Sequence, residues 1–374
     1  MRILYLHNID ISSEQANLIQ VFSMCKAFSQ LGNEVILSIP GYEVSPNKKI
    51  INQDGFKILL RKQNPYLGKF NKYLCKFQIR RVIKNIKPDL LYLRSPLLLS
   101  QTINSQLPII MELHNNKLHL GYKILDNHWE KLIKKCVRDK SIKLIVCISK
   151  ALTEYWIQKG IPRKSIITEH DGIDIEKFTN DVGKQKAREM LGISTQKSVI
   201  TYLGRLYEDR RIDDIIALAK SFKDTSFYVV GGPNDQAKKY HTLAIEDGID
   251  NISFIGQIPH KDTPKYLFAS DILLALWSKD VPTINFCSPL KVFEYMASGR
   301  TIVAYGFPTI REVLNNKKNA LLVEPESIEE LKNAVDYALK EDVSFLGRNA
   351  RNDVFENYSW IDRAKRILEN IKCE

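Results

Sequence analysis

The sequence predicts two α/β domains in tandem, each a doubly wound parallel sheet flanked by helices. Short apolar runs alternate with amphipathic helical stretches, and they do so in two separate blocks. The length of 374 residues suits about two domains of ordinary size, each able to bury its own core. The composition is globular, at 44% hydrophobic and 26% charged.

In the first block Arg2–Leu6, Glu34–Ile39, Leu90–Leu93, Ile109–Leu113 and Leu144–Ile148 read as strands. Between the first two, Gln15–Leu31 has the period of an amphipathic helix and stops at Gly32. In the second block Ser198–Tyr202, Ser226–Val230, Ile252–Ile255, Ile272–Leu276, Thr301–Ala304 and Ala320–Val323 read as strands. Their helices are Ile212–Phe222, Asp235–Glu246, Thr263–Ala269, Lys291–Ser298 and Ile328–Lys340. The break falls near Asp174–Gly183, after the turn-like Asp171-Gly-Ile-Asp174, which gives domains of 1–178 and 179–358. Open parallel sheets hold ligands beyond the carboxyl ends of their strands. Two such domains can face each other across a cleft with the site between them.

The net charge of +12 is unevenly placed. Residues 1–178 hold 28 Lys and Arg against 15 Asp and Glu, whereas 179–374 hold 27 against 28. A basic domain beside a neutral one suggests an anionic surface as partner: membrane headgroups, a pyrophosphate-linked acceptor or nucleic acid. The six cysteines lie far apart and show neither C-x-x-C nor zinc-ligand spacing, so they read as buried reduced thiols in a cytosolic protein. Met1–Leu6 is too short an apolar run for a signal peptide, and no run of 18 apolar residues is long enough to span a membrane.

The stretch Ser288-Pro-Leu-Lys-Val-Phe-Glu-Tyr-Met-Ala-Ser-Gly299 carries the most chemistry. Ser288 suits a helix cap and Pro289 the first helical position. Leu290 and Lys291 then offer backbone N–H groups at the positive end of the helix dipole, a seat for phosphate. Glu294 offers acceptor oxygens for ligand hydroxyls. Phosphate seat, carboxylate and βαβ context together suggest a nucleotide-sugar site.

Tyr202-Leu-Gly204-Arg205-Leu206 ends a strand, and Arg210 follows in the next loop. Two guanidiniums there suit a diphosphate held bidentately. A solvated pair, or a local salt-bridge cluster with Glu208, Asp209 and Arg211, fits the same residues. Val229-Val-Gly231-Gly232-Pro233 lets a ligand approach the backbone closely, or serves turn geometry alone. No G-x-G-x-x-G follows Leu6 and no G-x-x-x-x-G-K-[ST] occurs, which disfavours nicotinamide dehydrogenases and P-loop enzymes. Met111-Glu-Leu-His114 places a histidine at a strand end, where a ligand-binding role and a structural one are both open. No other histidine has metal or triad spacing, and there is no G-x-S-x-G elbow. Tyr66–Pro88 holds seven basic residues and no acidic one, with Phe70, Tyr73, Leu74 and Phe77 on an apolar stripe. Such a helix suits an anionic bilayer; the alternative is an ordinary surface helix packing its stripe on the sheet. A second basic run spans Lys131 to Lys143. No nucleic-acid recognition motif accompanies either.

The pattern resembles the GT-B glycosyltransferases, specifically the retaining family GT4, over nearly the whole chain. The marks are Tyr202–Leu206, Phe227-Tyr-Val-Val-Gly-Gly232, Phe254-Ile-Gly256, Ala269-Ser-Asp271, Lys291–Gly299, Ile310-Arg-Glu-Val-Leu314 and Asn319–Val323, in this order and spacing. Tyr358-Ser-Trp360 and the helix after it, 359–374, resemble the family's C-terminal segment, which crosses back to the first domain. The resemblance implies that Arg205 binds phosphate and that Arg210 stands where lysine is usual. It implies that Leu290 and Lys291 meet the diphosphate through backbone N–H groups, and that Glu294 binds the ribose as the second glutamate of an E-x7-E motif. It further implies that His114 lies near the donor sugar. The segment Gly256-Gln257-Ile258 would hold the nucleotide base, with Gly204, Gly232 and Ser288 lining the seat. One departure concerns the first glutamate of that motif: this chain has Phe286, with Asn285 or Thr283 as substitutes, and Pro289 replaces the usual glycine.

The expected protein is a cytoplasmic glycosyltransferase, peripheral on the membrane through 66–88. It would move a hexose-type sugar from a UDP- or GDP-sugar to a glycan or lipid-linked acceptor in bacterial surface polysaccharide synthesis. No metal or other cofactor is expected, and no nucleic acid. Domain closure would bring donor and acceptor together and exclude water. A non-hydrolysing sugar-nucleotide epimerase and an inactive glycosyltransferase-like partner subunit are the alternatives.

Overall fold

The structure, a computed structural model, describes residues 1–11, 16–41, 50–62, 71–116 and 123–372. The chain forms two compact units, Met1–Asp171 with Trp360–Glu374, and Gly172–Ser359.

The first unit is built on eight strands: β1 (Arg2–Leu6), β2 (Glu34–Gly41), β3 (Ile50–Gln53), β4 (Phe56–Lys62), β5 (Leu90–Leu93), β6 (Ile109–Leu113), β7 (Ile142–Cys147) and β8 (Ile166–Thr168). Their order is β3-β4-β2-β1-β5-β6-β7-β8. Every pairing is parallel except β3 with β4. The chain winds outward from β1 to β2 and β4, then returns to lay β5 to β8 on the other side. The switch point therefore lies between β1 and β5, where ligands of such sheets gather.

β3, β4 and β8 are not among the expected strands. β3 and β4 form a hairpin whose turn residues Asp54 and Gly55 have φ of 42° and 86°, the left-handed pair a tight hairpin needs. Lys57, Arg61 and Lys62 interrupt the apolar run of β4, which hides its alternation.

The second unit has six strands, all parallel: β9 (Ser198–Leu203), β10 (Thr225–Val230), β11 (Ile252–Gly256), β12 (Ile272–Ala275), β13 (Thr301–Tyr305) and β14 (Leu321–Val323). Their order is β11-β10-β9-β12-β13-β14, so this sheet switches direction between β9 and β12. β12 and β13 are buried at every position because helices cover both faces, which is why they read as continuous apolar runs. The helix Leu290–Ser298 is anchored to this switch point by Tyr295. Its hydroxyl accepts from Leu203 N at 2.8 Å and lies 3.3 Å from both Leu203 O and Leu274 O.

The last helix, Trp360–Lys372, belongs to the first unit, where it packs on the helix Ala16–Gln30. Arg363 of this helix is fully buried and donates to the carbonyls of Glu169 and His170 and to Glu112.

Tyr66–Leu67 and Gly68–Phe70 of the basic stretch lie outside the described residues; the helix is described from Asn71 to Ile86. Its packed side is Ile79, fully buried, with Val82, Ile83 and Ile86 half-buried. Phe77 does not share that side. It is 66% exposed, one and two turns from exposed Arg80, Arg81 and Lys84. Among the described residues no helix is long and apolar enough to cross a membrane.

Candidate functional site

In the second unit the carboxyl ends of β9, β10 and β11 are laced by their own backbone. Gly204 N donates to Val230 O at 2.9 Å, Gly231 N to Gly256 O at 2.8 Å, and Leu206 N to Gly232 O at 2.8 Å. The close approach needs glycine at Gly231: its φ is 140°, and a Cβ there would lie 1.8 Å from the carbonyl oxygen of Gly204. Gly232, which the sequence singled out, is less constrained; its Cβ would meet the flexible Gln257 side chain at 3.2 Å. Gly256 closes the third strand at a φ of 81°, and Gln257 N beside it donates to Asn234 Oδ1 at 2.8 Å. Ile258 follows, half-buried at the same edge.

The arginines after β9 separate by role. Arg211 is structural: it grips both Asp214 oxygens at 2.8 Å, and Tyr305 donates to the same carboxylate at 2.6 Å. Among the described residues Arg210 pairs only with Asp209, at 3.4 Å. Arg205 is exposed and has no side-chain partner among the described residues. The local salt-bridge cluster therefore takes up Arg211 and leaves Arg205 uncompensated.

The helix beside them starts at Leu290, between the Pro289 that the cap signals imply and the Lys291 where the helical pattern begins, and Ser288 does not cap it. Pro289 itself holds the cap position with extended φ and ψ of −73° and 118°, and it has no side-chain acceptor to offer. Val292 N closes the first turn on Pro289 O at 3.0 Å. The N–H groups of Leu290 and Lys291 find no acceptor among the described residues, so two donors face outward at the positive helix end. The Lys291 ammonium lies 4.2 Å from the ring centroids of both Tyr202 and Trp277. Burial, then the charge of Arg210, lowers it well below the ordinary lysine range.

Glu294 is nearly buried, and its Oε1 lies 2.6 Å from His260 Nε2. That contact occupies one carboxylate oxygen; the other has no partner among the described residues. His260 sits in the turn after β11 and gave no sequence signal, because only the fold brings it to Glu294. Phe286 is half-buried, and Phe286 N donates to Thr283 O at 2.9 Å; Asn285 beside it is exposed.

The first unit carries a second polar cluster at its own switch point. His7 follows β1, Arg94 follows β5 and His114 follows β6, so three adjacent strand ends converge. Glu112 lies beneath them, fully buried. It accepts from Gln20 at 2.6 Å, from Tyr92, from His114 Nε2 at 2.6 Å and from Arg363 at 3.2 Å. Burial pushes its carboxyl up, but Arg363 and then His114 and Arg94 outweigh this and hold it well below the usual range. Arg94 donates to Gln20 at 2.7 Å and contacts His7 Nε2 at 3.3 Å and His114 Nδ1 at 3.2 Å. A guanidinium cannot accept, so both ring nitrogens facing Arg94 are unprotonated. Both histidines are thus neutral. Burial and then Arg94 depress His7 to about 2 and His114 to about 4. Both nitrogens of His114 are committed inside the chain, and the spare N–H donors at this place belong to Arg94. Arg94, His7 and Glu112 escaped the sequence reading because each is a lone polar residue at a strand end. Among the described residues no group of three or more His, Cys, Asp or Glu is placed to hold a metal ion.

The family model for "Glycosyl transferases group 1" matches residues 183–357, and that for "Glycosyltransferase Family 4" matches 19–177. Curated relatives are distant. An uncharacterized glycosyltransferase of Methanocaldococcus jannaschii is 25% identical over 66% of this chain and 63% of its own. A D-inositol 3-phosphate glycosyltransferase of Corynebacterium aurimucosum is 27% identical over 56% and 51%. The lipopolysaccharide 1,2-N-acetylglucosaminetransferase of Salmonella typhimurium is 26% identical over 63% of each. The chain thus spans between half and two thirds of the length of each of these relatives. Among solved structures, Anabaena HepE in complex with UDP-glucose has a TM-score of 0.78 at 16% identity, covering 100% of both chains. The lipopolysaccharide outer core galactosyltransferase WaaB has a TM-score of 0.70 at 15% identity, covering 100% of this chain and 99% of its own. At such identities the likeness shows the fold, which is GT-B. With the two family models matched in sequence along the chain, residues 183–357 belong to the group 1 glycosyltransferases and residues 19–177 to Glycosyltransferase Family 4.

Proposed function

We propose that the protein is a retaining glycosyltransferase of family GT4 whose second unit binds a nucleotide diphosphate sugar. The observation that carries this is the uncompensated positive charge at the β9 and β12 ends. Among the described residues the Arg205 side chain has no partner, Arg210 has one carboxylate at 3.4 Å, and two helix N–H groups have no acceptor. A diphosphate supplies the missing negative charge, and the other Glu294 oxygen suits a ribose hydroxyl. The edge Gly256–Ile258 takes the base, and Gly204, Gly232 and Ser288 line the seat. In the first unit Arg94 and the neutral His114 form a polar site of their own at the strand ends. Phe286 leaves the sugar without the usual carboxylate, so Asn285 or Thr283 meets it.

During transfer, negative charge builds on the departing diphosphate. Arg205, Arg210 and the start of the helix Leu290–Ser298 stabilise it, and fixed charges of this kind need no reorganisation. A neutral His114 oriented by Glu112 holds its ring in one tautomer through the reaction. This scheme asks nothing of a metal. HepE, of the same fold, is described with UDP-glucose, which supports a UDP-hexose as the first donor to test. The acceptor in this proposal is a lipid-linked surface glycan met at the inner face of the membrane through the helix Asn71–Ile86.

A thermal-shift panel of UDP-glucose, UDP-galactose, UDP-N-acetylglucosamine and the GDP-sugars tests the donor. A ligand at 100 times its Kd stabilises the folded state by about 2.7 kcal/mol. One class of base should raise the melting temperature by several degrees. No shift with any of them removes the donor assignment, and turnover of a nucleotide sugar without acceptor marks an epimerase.

A further inference from the structure

Lys291 does more than present its backbone N–H. Its ammonium lies between two aromatic faces, 4.2 Å from the ring centroids of Tyr202 on β9 and Trp277 after β12. The end of β9 leaves room for it: a Cβ on Gly204 would sit 3.4 Å from Lys291 Nζ. The remaining titratable neighbours are Arg210, in the turn after β9, and Cys287, just before the helix. Among the described residues no carboxylate pairs with the ammonium. The ring faces attract a cation, but burial and Arg210 both oppose the charge, and together they lower the amine well below the lysine range.

A half-buried cation beside Arg210, on a helix start with two N–H groups that lack an acceptor among the described residues, lacks only an anion. We propose that the Lys291 side chain is a third cation of the diphosphate seat, and that a nucleoside diphosphate binding there is accompanied by protonation of its amine. This inference rests on the second unit's being the diphosphate site. The balance is simple: one proton leaves solvent or buffer and joins Lys291 Nζ, and no other bond changes. Without an anion, burial first and then the repulsion of Arg210 disfavour the proton on the amine. The diphosphate reverses the local potential and makes the ammonium the favoured form. After transfer, loss of the nucleoside diphosphate returns the proton, so donor exchange and proton exchange are linked.

Calorimetric titration of the full chain with UDP, GDP and ADP at pH 8 tests this. At that pH the terminal phosphate, with a pKa of about 6, has lost its own proton. Two buffers of different ionisation enthalpy then report protons taken up per nucleotide. The wild type should take up a measurable fraction of one proton. Its affinity should rise as pH falls, by up to about tenfold per unit. Lys291→Met should bind at least about tenfold more weakly and take up none. Lys291→Arg keeps the charge in a group that does not titrate, so it should bind without uptake; it also serves if the Met variant folds poorly. Equal proton uptake in wild type and Lys291→Arg overturns the proposal, as does UDP affinity unchanged in Lys291→Met. Failure of all three nucleotides to bind instead overturns the diphosphate seat itself.

Discussion

Arg205 and Arg211 carry the same charge on the same loop, yet only their surroundings assign them different roles. Asp214 neutralises Arg211 with two bonds of 2.8 Å, and Tyr305 braces that carboxylate. Arg205 has nothing comparable, so its charge is available to a ligand. Arg205→Ala should therefore lower kcat by 10²–10³-fold, about 3–4 kcal/mol at the barrier, by analogy with removal of a preorganised oxyanion donor. Its circular dichroism and melting temperature should match wild type, because the side chain is exposed. Turnover within tenfold of wild type would remove Arg205 from the diphosphate seat. Glycines 231 and 232 allow a second test. Gly231→Ala forces a Cβ to 1.8 Å from a backbone oxygen, where nothing flexible can yield. It should destabilise the second unit by on the order of 2–4 kcal/mol or abolish soluble expression. Gly232→Ala meets a side chain at 3.2 Å that can move, and should cost under about 1 kcal/mol. Urea midpoints of the two variants give the comparison; equal midpoints would show that the β9–β10 approach can widen to admit a methyl group.

At the scale of the element, legibility follows how local the signal is. β12 and β13 were readable because strands buried on both faces are apolar throughout, and Gly299 with a φ of 69° ends the helix before β13 as a glycine stop should. The start of that helix was misplaced by one residue because Ser288 and Pro289 both carry start signals, and only the extended backbone at Pro289 decides between them. The β3–β4 hairpin was hidden by exposed Lys57 and Lys62 and by a buried arginine, Arg61, in β4. His260 and Arg363 were beyond reach for another reason: their partners, Glu294 and Glu112, are distant in sequence, so only the closed fold creates either pair. The helix Asn71–Ile86 shows the opposite case, where the pattern was legible but left open whether its apolar stripe meets a bilayer or packs on the sheet. Ile79 is the buried side, and Phe77 stands exposed among Arg80, Arg81 and Lys84. An aromatic ring amid three cations suits an anionic bilayer better than water. Each cation near such a surface contributes about 1 kcal/mol. Replacing Arg80, Arg81 and Lys84 by Gln should thus weaken co-sedimentation with phosphatidylglycerol vesicles roughly a hundredfold, and Phe77→Ser should weaken it further without salt dependence. Vesicle binding that survives the triple change would assign this helix to the ordinary surface.

For the molecule as a whole, the first unit concentrates buried titratable groups and should set the acid limit of stability. His7 is depressed to about 2, and His114 and His170 to about 4, in each case first by burial. For each histidine the folded state stays neutral while the unfolded chain takes a proton below about 6.5. These three contributions are complete above that pH and are lost as pH falls. Asp171 works in the opposite sense: burial raises its carboxyl to about 7, so the folded state holds a proton that the unfolded chain releases above about 4. Arg94 and Arg363 face this cluster from β5 and the last helix, and Glu112 from β6. Three protons against one leave a net loss of about 2.7 kcal/mol per pH unit between pH 6.5 and about 4.5. Three of the four tryptophans, Trp129, Trp156 and Trp360, lie in the first unit and Trp277 in the second, so the tryptophan fluorescence of a Trp277→Phe variant follows the first unit's unfolding. Urea midpoints should be flat from pH 8 to 7 and fall steeply from 6.5 to 5. His170→Gln, which removes one of the three protons, should halve that slope, while Asp171→Asn should steepen it. A midpoint that rises on acidification would mean that Asp171 dominates the cluster and that the histidines are solvated in the folded chain.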